Sequence, residues 1–116
     1  MENPSLPGTG GVLAAVFATV DERKRTMPEK SYVATLLRKG PDAICCKLAE
    51  ETGETIKAAR EQTREQTIKE MCDLAFHMMV LMAAKNISLE ELEREFGRRH
   101  GISGLDEKAA RKKIGD

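Results

Sequence analysis

Helix-breaking residues are almost absent from the central half of this 116-residue chain, and this absence constrains the fold more than any other feature. Proline occurs only at positions 4, 7, 28 and 41, and between Asp42 and Arg99 the only glycines are Gly53 and Gly97. Both residue types interrupt regular structure, so a long stretch nearly free of them favours long helices. Because no segment alternates between apolar and polar side chains, no strand is predicted. We therefore expect an all-α fold.

Apolar spacing and helix-end signals predict a bundle of about five helices. The predicted helices cover about residues 11–25, 32–39, 41–61, 64–85 and 89–99. Ser31 can cap the second helix, Gly40 can end it, and Pro41 suits the first turn of the third. Two capping boxes are expected to open the fourth and fifth helices, formed by Thr63 with Gln66 and by Ser88 with Glu91.

The length of the chain is that of one small domain. We expect residues 1–10 to form a flexible lead-in, 11–100 the helical domain and 101–116 a basic tail. The basic residues of that tail are Lys108, Arg111, Lys112 and Lys113. A single domain of this size has a modest core, and the fourth helix is apolar almost all round beyond Met71, which predicts a buried helix. Both features favour completion of the bundle by a second copy, as a dimer or a dimer of dimers.

Composition excludes several classes of protein. Nineteen basic and nineteen acidic side chains balance, and aromatic residues are only 3%, so no nucleic-acid partner is expected. The longest apolar run, 78–84, is far shorter than the roughly 20 residues of a membrane span. Three cysteines, Cys45, Cys46 and Cys72, form neither a disulfide framework nor a zinc motif. We expect them to be core residues of a cytoplasmic protein that has no membrane partner.

Carboxylates fall on the third helix where apolar residues are expected. With Ile44 at zero on a helical wheel of about 100° per residue, Leu48 lies near 40° and Glu51 near 340°. Glu51 is therefore inside the apolar stripe. Glu54, one turn further on, lies at the edge of the same stripe, whereas Glu50 points away, near 240°.

The fourth helix repeats this pattern. With Glu70 at zero, Leu74 lies near 40° and Asp73 near 300°, so a second acidic pair spaced i, i+3 lies on an apolar side. Converging buried carboxylates repel one another unless a cation neutralises them. Hard oxygen ligands favour Mg²⁺, or Mn²⁺ as a substitute. Lys47 and Arg60 could instead neutralise the carboxylates without any metal, so the spacing alone leaves both interpretations open.

A magnesium ion held by carboxylates typically binds phosphate oxygens and activates a water molecule. A ferritin-like di-iron site is the other carboxylate-rich alternative, but it requires Glu-x-x-His pairs, which this chain lacks. His77 follows Asp73 by four residues, so it either orients Asp73 from behind or is a buried imidazole bonded to a neighbour.

The order of these residues resembles a known signature. Glu50-Glu51-x-x-Glu54 followed by Glu70-x-x-Asp73 is similar to the E-E-x-x-E…E-x-x-D pattern of the MazG-like all-α nucleotide pyrophosphatases. The flanking residues resemble one family within that group, the phosphoribosyl-ATP pyrophosphatases, over about residues 11–100. They are Ser31-Tyr32, Leu36-Leu37, Lys39-Gly40, Lys47, Ala58-Ala59, Asp73-Leu74, Phe76-His77, Ser88-Leu89-Glu90 and Arg98-Arg99-His100.

This resemblance implies Mg²⁺-dependent hydrolysis of phosphoribosyl-ATP to phosphoribosyl-AMP and pyrophosphate, the second step of histidine biosynthesis. It also implies a helical bundle completed by a second subunit. The metal ligands it implies are Glu51, Glu54, Glu70 and Asp73. Glu50 would be an additional ligand or would orient a water molecule. The substrate contacts it implies are Lys39, Lys47, Arg98, Arg99 and His100.

Several positions depart from the family pattern: Gly53, Gln62-Thr63, Pro41 and the Cys45-Cys46 pair. Gly53 lies between two implied ligands, in the middle of a helix, where glycine costs about 1 kcal/mol relative to alanine. Two alternatives to the implied activity stay open. A related pyrophosphatase acting on other nucleoside triphosphates would use the same metal site, and a non-enzymatic helical interaction module would have its carboxylates paired with basic side chains.

Overall fold

The computed structural model describes residues 11–101 and Lys108, and within these residues it contains five α-helices and no strand. The helices are α1 (Gly11–Thr26), α2 (Tyr32–Lys39), α3 (Pro41–Glu61), α4 (Arg64–Ala84) and α5 (Leu89–Arg99). The predicted all-α fold is confirmed, and each helix begins and ends within about one residue of its predicted bounds. The predicted lead-in 1–10 and the tail, apart from Gly101 and Lys108, lie outside the described residues. The division of the chain at residues 10 and 100 therefore stays a prediction.

Local hydrogen bonds account for the helix ends. Ser31 Oγ accepts a hydrogen bond from the Ala34 amide at 3.1 Å, which caps α2. Gly40 adopts a φ of 97°, a backbone conformation that side chains disfavour, and this glycine separates α2 from α3. Both predicted capping boxes form, with reciprocal bonds between Thr63 and Gln66 and between Ser88 and Glu91. Because these capping interactions join residues close together in the chain, they could be predicted from the sequence.

The antiparallel pair of α3 and α4 makes the most extensive contact between helices, and α1 and α2 pack across it. The core is a cluster of aliphatic side chains drawn from all four of these helices: Val20, Val33, Leu36, Ile44, Met79, Val80 and Ala83. Helix α5 packs only sparsely against the rest, and its Phe96 side chain is 68% exposed. The first four helices therefore form the framework of any site on α3 and α4.

Two expectations about burial are wrong for the single chain. Beyond Met71, helix α4 is not buried all round, because Cys72, Asp73 and Met78 are exposed. The three cysteines are exposed as well, rather than part of the core. Sequence periodicity assigns an apolar residue to a packing face without saying whether its own chain or another copy covers that face.

No single helix among the described residues is both long and apolar enough to cross a membrane. Helices α4 and α5 would be long and apolar enough only as one combined segment, and the chain bends by 111° between them.

Candidate metal centre

A threonine aligns the two helices that carry the acidic pairs. Thr55 lies on α3, and its hydroxyl is 2.7 Å from the carbonyl oxygen of Glu51 and 3.2 Å from the carbonyl oxygen of Glu70 on α4. By sharing its single hydroxyl proton between these two carbonyl oxygens, Thr55 links the turn of α3 that carries Glu51 to the turn of α4 that carries Glu70. On the helical wheel with Ile44 at zero, Thr55 lies near 20°, within the apolar stripe, but the pattern gives no reason to assign it a role at the site.

Three of the four predicted metal ligands come together. Glu51, Glu70 and Asp73 each offer one carboxylate oxygen, and these three oxygens lie within 4.8 Å of one another. Glu51 and Glu70 are half-buried and Asp73 is exposed, so the cluster is seated between the helices and open on one side. One member of the α3 pair and both members of the α4 pair therefore converge in the folded chain, as the spacing suggested.

Electrostatic repulsion within this cluster is only partly compensated by basic side chains. Partial burial raises the pKa of the Glu70 carboxyl, and the Asp73, Glu51 and Glu54 carboxylates raise it further. Among the described residues, the only ion pair with any of these carboxylates joins Lys47 Nζ to Glu51 at 3.9 Å. The sequence left open that Lys47 and Arg60 neutralise the cluster without a metal. In the described part of the chain only Lys47 forms an ion pair with it.

The donor set and its dimensions suit a small hard cation. Mg²⁺ binds oxygen ligands at about 2.1 Å in an octahedron, which puts neighbouring ligands about 3.0 Å apart and opposite ligands about 4.2 Å apart. Three carboxylate oxygens within 4.8 Å of one another need only small side-chain adjustments to reach these separations. The three exposed cysteines contribute no atom to the cluster, so its donors are all carboxylate oxygens, the ligands that Mg²⁺ and Mn²⁺ prefer.

The remaining acidic residues of the signature lie around this cluster. Glu54 is exposed and is not one of the three converging groups, although it is near enough to act on the Glu70 carboxyl. Glu50 points to solvent, with its Oε2 atom 3.1 Å from Lys47 Nζ. Lys47 thus lies between an outer carboxylate, Glu50, and an inner one, Glu51, at the edge of the cluster.

The other predicted substrate contacts lie further along the chain. Lys39 is exposed at the last turn of α2. Arg98 and Arg99 each bind the Glu95 carboxylate at 2.8 Å within α5, and His100 is exposed just past the end of that helix. The two guanidinium groups hold the pKa of the Glu95 carboxyl at about 2.

His77 is buried behind the cluster, with only 5% of its surface exposed. Its Nδ1 atom lies 2.7 Å from the backbone oxygen of Asp73, and its Nε2 atom lies 2.8 Å from the hydroxyl of Tyr32 on α2. The sequence led us to consider that His77 orients Asp73, and the contact found is with the Asp73 backbone rather than with its carboxylate. Tyr32 was missed as a site residue, because nothing in the spacing joins α2 to α4.

Comparison with known proteins gives a consistent result. Residues 13–100 match the family model described as phosphoribosyl-ATP pyrophosphohydrolase. The chain is 48% identical over 101 residues to a phosphoribosyl-ATP pyrophosphatase from Azoarcus sp. (strain BH72), covering 87% of this chain and 94% of the relative. It is 47% identical to the protein of that name from Aromatoleum aromaticum, with 86% and 93% covered, and 44% identical to that from Chromobacterium violaceum, with 90% and 96% covered.

Proposed function

Because this chain belongs to the phosphoribosyl-ATP pyrophosphohydrolase family, we propose that it hydrolyses phosphoribosyl-ATP to phosphoribosyl-AMP and pyrophosphate, the second step of histidine biosynthesis. The observation that carries this proposal is the convergence of Glu51, Glu70 and Asp73 on one point between α3 and α4. A carboxylate cluster open on one side suits a cation that must also bind the phosphates of a substrate.

The cation we propose is Mg²⁺, with Mn²⁺ as a substitute. Glu51, Glu70 and Asp73 would hold it, and Glu54 would join them by a change of side-chain rotamer. When bound, a divalent cation supplies charge neutralisation at the phosphate oxygens and lowers the pKa of a coordinated water. The role of the helices is to hold the carboxylates in register, which Thr55 supports from the backbone side.

Lys47 and Glu50 would act on the substrate side of the cluster. The Lys47 ammonium, at the cluster edge, would bind a phosphate oxygen of the anhydride. Its partner Glu50 would then be released to orient the attacking water and accept its proton at Oε2. Hydrolysis breaks the bond between the α- and β-phosphoryl groups, and the water oxygen forms the new bond to phosphorus. Pyrophosphate and phosphoribosyl-AMP are the products.

We propose that the enzyme is a homodimer or a dimer of dimers. A groove of about 500 Å³ between α1 and α4 is lined largely by apolar side chains, including the exposed Leu13, Ile68 and Met71. Asp73 also lines this groove, so a second copy seated there would lie beside the acidic cluster. Exposed apolar surface of this kind is typical of an interface between protein chains.

Helix α5 is the second element that we expect to be engaged in the assembly. Its Phe96 side chain is 68% exposed, and the adjoining Arg98, Arg99 and His100 would reach substrate phosphates in a neighbouring subunit. Lys39 would bind the substrate from the end of α2. We place the enzyme in the cytoplasm, because a charged nucleotide substrate of this kind does not cross membranes unaided.

The proposed function is tested by incubating the full chain with phosphoribosyl-ATP and Mg²⁺ and measuring the pyrophosphate released. Glu51→Gln should lower kcat by at least about a hundredfold, because loss of one charged ligand weakens stabilisation of the developing phosphoryl charge. Glu93→Gln, on the exposed face of α5, is the matched control and should leave turnover unchanged. Faster hydrolysis of any ordinary nucleoside triphosphate would favour the related pyrophosphatase, and no hydrolysis of any nucleotide would favour the interaction module.

A further inference from the structure

A cavity of about 400 Å³ opens where α1, the start of α2 and α4 meet. Val16 and Val20 form an apolar wall, and Tyr32 and Phe76, whose rings stack with centroids 6.4 Å apart, line it as well. The cavity extends along α1 from Val16 to Arg23, which is two helical turns or about 10 Å. Sites for small molecules typically measure about 300–1,000 Å³, so this cavity is of a size that holds one.

Arg23 and Lys30 give the cavity a positive charge. They are the only charged side chains among the described residues that line it, so no carboxylate in that lining neutralises them. Within the described part of the chain, Arg23 makes one ion pair, at 3.5 Å with the exposed carboxylate of its neighbour Glu22, and Lys30 makes none. Two cations with so little internal compensation attract an anion. Phosphate suits such a pair, because a guanidinium group binds it through two parallel hydrogen bonds.

The turn that carries Lys30 is held in place by Arg38. The Arg38 guanidinium on α2 donates hydrogen bonds to the backbone oxygens of Met27 and Pro28, both at 3.1 Å. Met27 has a φ of 47°, in the left-handed region that is uncommon for residues other than glycine. A backbone in this conformation persists only where its surroundings fix it. Lys30 is therefore presented by a turn that has contacts of its own.

Tyr32 joins this cavity to the acidic cluster. Its ring lines the cavity, and its hydroxyl lies 2.8 Å from His77 Nε2. The Nδ1 atom of His77 lies 2.7 Å from the backbone oxygen of Asp73, which is one of the three converging acidic residues. Phe76, three residues after Asp73 on α4, lines the cavity too. One layer of aromatic side chains therefore separates the cluster from the cavity, and a long substrate with phosphates at the cluster can place its other end in the cavity.

Phosphoribosyl-ATP differs from ATP by a phosphoribosyl group on its base, so it carries a second phosphate at the opposite end from its triphosphate. We propose that Arg23 and Lys30 bind this second phosphate and make the chain select phosphoribosyl-ATP over ATP. This inference rests on the proposed function and deepens it. The acidic cluster serves a polyphosphate that both nucleotides share, whereas only phosphoribosyl-ATP has a charge to place in the cavity.

The probes are phosphoribosyl-AMP and AMP, which differ only in the phosphoribosyl group and whose binding calorimetry measures without catalysis. The wild type should bind phosphoribosyl-AMP about a hundredfold more tightly, since two contacts with a charged phosphate are gained. Arg23→Met and Lys30→Met should each weaken its binding about tenfold and leave the affinity for AMP unchanged. Arg25→Met is the matched control, because Arg25 is exposed on the same helix outside the cavity lining and should bind both nucleotides as the wild type does.

Turnover gives a second measurement of the same contacts. Arg23→Met should raise KM for phosphoribosyl-ATP about tenfold and change kcat by less than about twofold, because the second phosphate lies far from the reacting phosphorus and is bound equally in ground and transition states. Any hydrolysis of ATP should be unaffected by this change, since ATP has no group in the cavity.

Three results would overturn the proposal. They are equal affinity of the wild type for the two nucleotides, a preference for phosphoribosyl-AMP that survives in the double variant, and an equal loss of affinity for AMP, which would place the two cations at a part of the nucleotide that both probes share. Inactivity of the wild type towards phosphoribosyl-ATP would refute the proposed function, while the binding of phosphoribosyl-AMP and AMP would still judge this inference.

Discussion

Replacement of Glu70 by glutamine should have opposite effects on the metal-free and the metal-bound protein. The raised pKa of the Glu70 carboxyl means that its charged form is disfavoured in the folded chain, by partial burial and by Asp73, Glu51 and Glu54. In EDTA at pH 7.5, Glu70→Gln should therefore melt at a higher temperature than the wild type. The same change removes one of the three proposed metal ligands, so in Mg²⁺ the advantage should disappear or reverse.

The size of the metal effect follows from mass action. A ligand that binds only the folded state at ten times its dissociation constant stabilises it by RT ln 11, or about 1.4 kcal/mol. For a domain of roughly 60–100 residues, 1 kcal/mol corresponds to about 4–8 °C in Tm, so the wild type should gain roughly 6–11 °C. We expect Glu70→Gln to bind Mg²⁺ at least about tenfold more weakly. At the same Mg²⁺ concentration its Tm should therefore rise by less than half of the wild-type gain.

Scanning calorimetry with and without Mg²⁺ measures both effects, and titration of Mn²⁺ monitored by electron paramagnetic resonance gives the dissociation constant independently. Glu93→Gln controls for the loss of a surface charge and should follow the wild type in both conditions. An equal Tm gain for Glu70→Gln and the wild type would show that Mg²⁺ does not bind at this cluster. A lower Tm for Glu70→Gln in EDTA would show that the Glu70 charge is stabilising, contrary to the electrostatics described above.

Two further predictions concern regions around the site. Gly53→Ala should raise the free energy of unfolding by about 1 kcal/mol in urea denaturation, because alanine is the better helix former and a methyl group there meets no described atom within 4 Å apart from the adjoining residues and the backbone of its own helix. Destabilisation would mean that another chain packs against this position. For Glu95, whose carboxyl has its pKa lowered from 4.5 to about 2 by Arg98 and Arg99, the ion pairs should stabilise α5 above pH 4.5 and be lost as the pH falls towards 2. Backbone NMR shifts of α5 should thus differ between the wild type and Glu95→Gln at pH 7 and differ by about half as much near pH 2, where half of the Glu95 carboxyls are protonated. A difference that is undiminished at pH 2 would contradict this.

The helices could be predicted almost to the residue because their end signals are local. Ser31, Thr63 and Ser88 each cap a helix through a backbone amide three residues ahead, and Gly40 adopts the positive φ that separates α2 from α3. These interactions involve residues close in sequence, so the pattern that predicts them is complete within a few positions.

The site could be predicted only in part, because its members come from different helices. The wheel positions of Glu51 and Glu70 showed carboxylates on apolar faces, and that anomaly was sufficient to propose a metal site. The pairing of Tyr32 with His77 joins residues 45 positions apart, and no periodicity encodes it. The exposure of Met71 could not be predicted from the sequence either. An apolar helix face shows the same residue pattern whether its own chain or another copy covers it.

The charges of the cluster limit how substrate can enter. Three carboxylates carry three negative charges and Mg²⁺ two positive ones, so a loaded cluster of Glu51, Glu70 and Asp73 keeps one net negative charge before any polyphosphate arrives. A phosphate chain approaching such a site is repelled unless a further positive charge lies on its path. Lys47 is the one described cation paired with the cluster, and its position at the rim supplies that charge where the phosphates would enter. The placement of Lys47 by its neighbours is therefore as important for the proposed reaction as the ligands themselves.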